Sequence, residues 1–222
     1  MKLLKYINLL MWGLYIFSGN FIHADELSII PTGEFSQSKL DEWLPKKFVN
    51  ETLYSLIKVD NKTVLKAVSQ NSASGLIKKI RVDIKTHPFL NWSWRIENRL
   101  ASTFDEKQKA GDDYAARIYI VVSGEIAFWN TIALNYVWAK NPAKGETWPS
   151  AFAPKNAVMV ALRSLEAPIS IWHWEKRNIS EDFKKLFNKE IRFIDAVVLM
   201  SDTDNTKNKV TAYYGDIYFS KQ

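Results

Sequence analysis

The chain has 222 residues, no cysteine, a formal net charge of +6 and nine tryptophans. Without thiols there is no disulfide framework, no thiolate catalysis and no lipid attachment at a processed cysteine. The basic residues are dispersed, with Lys78, Lys79 and Arg81 among apolar neighbours and Lys184 and Lys185 beside Glu181 and Asp182. That pattern gives a solvated, mildly cationic surface rather than the basic stripe of a nucleic-acid binder.

The N-terminus reads MKLLKYINLLMWGLYIFSGNFIHA. Lys2 and Lys5 precede an apolar run from Ile7 to Phe17, too short to cross roughly 30 Å of hydrocarbon as a helix. The pattern predicts a secretory signal peptide over residues 1–24, with Ile22 and His23 imperfect at the cleavage site. A retained membrane anchor is the alternative. A periplasmic or secreted protein is expected, with no stable membrane insertion after cleavage, and a bacterial periplasm suits an exported chain free of cysteine.

Residues 25–50 read as an N-terminal approach segment with a helical turn around Ser38 to Leu44, leading into a single domain over 51–222. TLYSLIKVD, KTVLKAVSQ and GLIKKIRVDI then follow as short runs rich in Val, Ile, Leu and Tyr. Asp60-Asn61 and Asn71-Ser72 punctuate them as turns, the first a tight hairpin. FLNWSWRI, YAARIYIVV, TIALNYVWA, NAVMVALRS, ISIWHWEKR, IDAVVLMSD and TAYYGDIYF continue the series. One helix, SEDFKKLFN near 180–188, has Ser180 as its expected N-cap, acidic residues in its first turn, and Phe183, Leu186 and Phe187 at helical spacing. Strands at this spacing with one short helix predict an all-β, two-sheet antiparallel sandwich. The loops at 97–112 and 139–155 are the longest, and long loops often carry function.

Side chains alternate between the two faces of a strand. In DYAARIYIVV, Tyr114, Ala116, Ile118, Ile120 and Val122 form a dry face. Asp113, Ala115, Arg117, Tyr119 and Val121 form a mixed one, so Arg117 must find a carboxylate or an aromatic ring on a neighbouring strand. Arg95, Asn135, His173, Glu175 and Arg177 likewise lie opposite apolar faces, and Trp92 and Trp94 read as core. Trp138 and Trp148, beside or within the second long loop, read as exposed stacking platforms. Two readings follow: scattered ion pairs, or a shared polar cleft lined by Arg95, Asp112, Asp113, Arg117, Asn135, Trp138 and Glu175. Carboxylates, amides and arginines beside flat apolar rings suit a carbohydrate or another polar ligand.

In this order, LNWSWRIEN, KAGDDYAARIYIVVSG, ALNYVWA, WHWEKRNISEDFKKLF, DAVVLMSDTDNT and AYYGDIYF closely resemble a family of exported bacterial proteins. That family is known only as a domain of unknown function, number three thousand and forty-seven. The likeness runs from Trp43 to Phe219, implies a single periplasmic domain and carries no activity or site residues. YYGDIYF, with Asp216 after a glycine turn, more loosely resembles a terminal strand of galactose-binding-like and carbohydrate-binding-module jelly rolls. That resemblance implies a jelly-roll architecture and supplies only an analogy for function.

Several chemistries can be weighed on the residues. SDTDNT gathers Asp202, Asp204 and Asn205, oxygen donors of the kind that hold a structural Ca²⁺ ion. It lacks the glycine and distal glutamate of an EF-hand loop, and an Asx-capped turn is the alternative. No other cofactor is expected, and zinc is disfavoured with only His87 and His173 beyond the signal segment. Glycoside hydrolysis requires two carboxylates about 5 to 9.5 Å apart, with Asp112, Asp113, Glu175 and Asp202 as candidates. A lyase would draw on Arg117, Tyr119 and His173, although His173 between two tryptophans also suits packing. There is no G-x-S-x-G elbow and no phosphate-cradling glycine loop. Binding of a carbohydrate or polar envelope ligand is the first reading. A carbohydrate-active enzyme and an envelope protein-interaction factor stand as alternatives.

Overall fold

A computed structural model describes residues 28–124 and 130–222. The expected signal segment lies outside the described residues. The chain runs β1 (Ile29–Gly33), β2 (Trp43–Val49), β3 (Leu53–Val59), β4 (Lys62–Gln70), β5 (Ala73–Asp83), β6 (Phe89–Ile96) and β7 (Arg117–Val122). It continues through β8 (Ile132–Trp138), β9 (Thr147–Pro149), β10 (Ala157–Arg163), β11 (His173–Asn178), α1 (Ile179–Phe187), β12 (Phe193–Asp202), β13 (Lys209–Tyr214) and β14 (Ile217–Ser220).

These strands form a sandwich of two seven-stranded sheets, the architecture that the strand spacing predicts. The front sheet has the order β2-β5-β12-β7-β8-β10-β9. In the back sheet, β6 is flanked by β11 on one side and by β13 and β14 on the other. β13 and β14 are one line of chain broken at Gly215-Asp216; β13 pairs onward with β4, which pairs with β3, and β14 pairs with β1. Every pairing is antiparallel except β8 with β10. A parallel pair requires a crossover of a dozen or more residues, and the loop between them supplies it, laying β9 antiparallel along β10.

The alternation read from the sequence sets the core. Leu90, Trp92, Trp94 and Ile96 of β6, with Tyr214 and Phe219, face Ile118, Ile120, Leu134, Tyr136, Trp138, Val197 and Leu199. The helix adds Ile179 and Phe183 to this core. The Asp60-Asn61 turn has φ of 49° and 65°, the left-handed pair that a tight hairpin requires.

Local readings are corrected at several places. The 25–50 segment contributes a strand to each sheet, and its helical turn is a single 3-10 turn at Phe35–Gln37. The helix N-cap is Asn178, whose side chain accepts from the Glu181 N–H at 3.2 Å, rather than Ser180. Tyr114 precedes β7 and packs outside the front sheet with Val137, Ala139, Trp148, Met159 and Ala161. The long loops that cover this second cluster are tied together by Glu106. Its buried carboxylate accepts from the Lys140 and Asn141 N–H groups at 3.0 Å, and burial raises its pKa above the ordinary carboxylate value.

Candidate functional site: a cavity on the outer face of the front sheet

Tyr119, Asn135 and Met159 are cross-strand neighbours on β7, β8 and β10, and Met200, Arg117 and Val137 form the adjacent row. At the mouth of β7 the chain turns through Gly111. A β-carbon there would overlap the Asp105 carbonyl, so this tight loop requires glycine to deliver Asp112 and Asp113. The end of β12 brings Asp202, followed by Asp204 and Asn205. Phe48 and Val49 at the end of β2, with Phe152 and Ala153 from the crossover loop, complete the walls. The cavity, open to solvent on one side, is about 480 Å³.

Arg117 is only 6% exposed. Its Nη2 donates to Asp202 Oδ2 at 2.6 Å and its Nη1 lies 4.0 Å from Asp112 Oδ2. The Tyr119 and Tyr114 ring centres stand 5.0 and 5.3 Å from the guanidinium. Burial opposes this charge, but Asp202, Tyr119 and Asp112 outweigh it and hold the guanidinium above its ordinary pKa. Burial raises the pKa values of Asp202 and Asp112, with Arg117 offsetting part of the effect. The Asp204 carboxyl is also raised, first by burial and then by Asp113.

Among the described residues, three polar atoms here have no partner: Asp112 Oδ1, Arg117 Nε and Asn135 Oδ1. All three belong to residues lining this one cavity. Buried polar atoms without hydrogen bonds are costly, and such a cluster calls for explanation. The cavity offers one unsatisfied donor and two unsatisfied acceptors, with three carboxylates against a single guanidinium.

The residues expected to share a cleft divide among separate places. Asp112, Arg117 and Asn135 line this cavity, together with Asp202, Asp204 and Asn205. Asp113 lies behind it, its carboxylate accepting from the Asn205 N–H at 3.2 Å and the Thr206 N–H and hydroxyl at 2.6 Å. Arg95 is on the outer face of the back sheet, bonded to Glu97 at 2.7 Å and 3.9 Å from Asp60. Glu175 accepts from Trp94 Nε1 at 2.9 Å and Arg163 Nε at 2.5 Å. Trp138 is a core residue, 3% exposed, between Trp94 and His173, and Trp148 is 5% exposed. Neither can serve as a surface platform: Trp138 faces the core between the sheets, and Trp148 lies under the loops with Tyr114 and Met159. Tyr119, Met159, Met200, Phe48 and Phe152 complete the cavity. The alternation along β7 already sets Tyr119 on the same face as Arg117; nothing local in the sequence marks Phe48 or Phe152.

For a metal, Asp113, Asp202 and Asp204 each place a carboxylate oxygen within 4.8 Å of the others. Asp113 therefore takes the place expected for Asn205, whose side-chain amide instead donates to the Lys109 carbonyl at 2.6 Å. The hydrogen bonds to Asp113 and the Arg117–Asp202 pair already use much of the acceptor capacity of this set.

Fold and site together define a two-sheet β-sandwich with a charged, partly unsatisfied cavity on one outer face. The family model described as "Protein of unknown function (DUF3047)" matches residues 41–218, and the chain belongs to that family. No curated protein matches the sequence. Among solved structures it is similar to a chain from a study of carbohydrate-binding modules of the β-sandwich superfamily. The identity is 11% and the TM-score 0.41, with 84% of this chain and 60% of that one covered, under two thirds of the latter's length. A variant of the Cel12A cellulase of Rhodothermus marinus aligns at 8% identity and TM-score 0.47, covering 86% of this chain and 98% of that one. The CBM27-1 module of Caldicellulosiruptor saccharolyticus, in complex with mannohexaose, aligns at 12% identity and TM-score 0.42 over 88% and 98%.

Proposed function

We propose that the protein binds a neutral or amine-bearing hydroxylated ligand, a saccharide in the first instance, in the front-sheet cavity. The observation that carries this reading is the convergence of Asp112 Oδ1, Arg117 Nε and Asn135 Oδ1, all unpartnered, on one cavity. A hydroxyl can donate to Asp112 or Asn135 and accept from Arg117 Nε, while Tyr119, Phe48 and Phe152 offer apolar surface to the C–H faces of a ring. The excess of carboxylates argues against a uronate, because Arg117 is already engaged by Asp202. The first residues of the sequence support an exported, envelope-located protein. Among the described residues no helix is long and apolar enough to cross a membrane.

Calorimetric titration with neutral, acidic and amino oligosaccharides tests this reading. Hydrogen bonds to charged groups contribute about 1.5–3 kcal/mol, so Asp112→Asn should weaken binding by about tenfold or more. Unchanged affinity would remove the cavity from consideration. A second reading, hydrolysis, is favoured by the raised Asp112 and Asp204 carboxyls lining the same cavity, since a glycosidase needs a carboxylic acid held protonated. Turnover of a bound oligosaccharide that is lost in Asp112→Asn and Asp204→Asn while binding survives in one of them would support it.

A further inference from the structure

The outer face of the back sheet carries a second, chemically different depression, and it absorbs two sequence motifs that the front cavity does not use. Along β11 the side chains alternate: His173, Glu175 and Arg177 turn inward to partners, while Trp174 and Lys176 turn out. Trp174 is 72% exposed. Its cross-strand neighbour on β6 is Ser93, and beyond Ser93 lies Gly215, whose N–H donates to the Ser93 carbonyl at 2.9 Å. A β-carbon on Gly215 would overlap the Ser93 hydroxyl. The chain therefore keeps a glycine and a serine beside the most exposed tryptophan among the described residues, and the sheet surface dips there.

Rigid groups border the dip. Trp172 packs against Tyr213 with ring centres 6.5 Å apart, and the Arg95 guanidinium lies 5.7 Å from the Tyr213 ring. On the other flank, Asn91 donates to Ser220 Oγ at 2.9 Å. Asp216 accepts from the Ser36 N–H at 2.8 Å and from the Ser36 hydroxyl, which fixes the break between β13 and β14. With Trp172, Trp174, Asn91, Lys176 and Asp216 in its lining, the depression holds about 650 Å³.

We infer that this depression is a second saccharide-binding site, independent of the front-sheet cavity. Trp174 supplies a flat ring for the C–H face of a pyranose, and the Ser93–Gly215 floor leaves room for the ring beside it. Asn91, Lys176 and Asp216 offer hydroxyl partners at its rim. Charge separates this occupant from others. Asp60 and Asp216 balance Lys62 and Lys176, and Arg95 beside them is paired with Glu97, so no cationic excess is left for a polyanion such as a nucleic acid. A recessed floor flanked by polar groups also suits a ring better than the flat apolar centre of a protein interface.

Two signals separate this site from the front cavity, because among the described residues no tryptophan lines the latter. The experiment titrates the whole protein with cellohexaose, mannohexaose and chitohexaose, following intrinsic tryptophan fluorescence alongside calorimetry. At least one hexasaccharide should shift the emission. Trp174→Ala should abolish that shift and weaken the corresponding binding by about tenfold or more, while Asp112→Asn leaves the shift in place. Ser93→Leu, which fills the floor beside Trp174 while keeping its indole ring, should likewise weaken the binding, and Trp174→Phe should retain part of it. Binding of all three sugars without an emission change, an unaltered shift in Trp174→Ala, or no binding of any of them would each overturn the inference. Unfolding midpoints close to wild type for Trp174→Ala and Ser93→Leu establish that any loss is local.

Discussion

The outer faces of the two sheets treat charge and aromatic rings in opposite ways. On the front sheet the long loops fold down, so Arg117, Asp112 and Asp202 are buried and Trp148 is sealed beneath the loops. On the back sheet, Arg95 meets Glu97 and Asp60 near water, and Trp174 stands exposed. The same residue types therefore carry different energetic weight: a buried ion pair is costly to break, whereas an exposed one contributes little.

The largest effects that would test this contrast lie inside. Arg117→Met leaves Asp202 buried without its cation and should cost about 3–5 kcal/mol in urea unfolding. Arg95→Ala, an arginine also facing outward from a strand, should cost under about 1 kcal/mol. A smaller difference would mean that water reaches Arg117 far more freely than its burial indicates. Trp138→Ala empties core volume and should likewise cost about 3–5 kcal/mol.

The next effect is pH dependence in the front cavity. Burial holds Asp112 protonated to higher pH in the fold than in the unfolded chain. Its contribution to stability is therefore full at low pH and is lost as pH rises from the ordinary carboxylate value through the raised one. Asp202, Asp204 and Glu106 act with the same sign. Arg117, Tyr114, Asp113 and Asp204 are the charged and titratable groups that act on Asp112. A ligand hydroxyl donating to ionised Asp112 should bind more tightly as pH rises through the same window, and Asp112→Asn should flatten that profile in calorimetry. The back-sheet site should show no such dependence on Asp112. The smallest effect concerns neither face: Asn178→Ala removes the helix cap and should cost about 1 kcal/mol, read as a lowered thermal midpoint.

Much of the fold was legible because alternation and turn chemistry are local. β3 to β8 and β10 to β14 all fall in segments that the periodicity marks, and the Asp60-Asn61 hairpin follows from its residue types. The strands that escaped, β1, β2 and β9, hold Pro31, Pro45 and Pro149. All three are sheet edges, where proline is tolerated because one side of the strand needs no ladder hydrogen bonds. A proline that argues against a central strand therefore conceals an edge strand.

The site was legible only in part, and for a different reason. Asp112, Arg117, Asn135 and Asp202 were marked by charge or amide on strands with an apolar opposite face, and they do converge. Arg95 carries the same mark and sits on the other sheet, because alternation gives a side chain's face without saying which sheet it belongs to; Glu175 sits elsewhere because β11 turns it inward to Trp94 and Arg163 and turns Trp174 out. Trp138 was misjudged because its nearness to a long loop was weighed above its place with Leu134 and Tyr136 on the apolar face of β8, and Trp148 because the loop lies over the sheet.

The sequence by itself determined the alternation along each strand, the core aromatics of β6 and the helix, since each depends on neighbours a few positions apart. Tertiary structure alone decided which rows lie side by side, which face the loops close over, and hence that Arg117 is sealed beside Asp202 while Trp174 stays in water. Those outcomes depend on strand order and loop path, which join residues far apart in the chain.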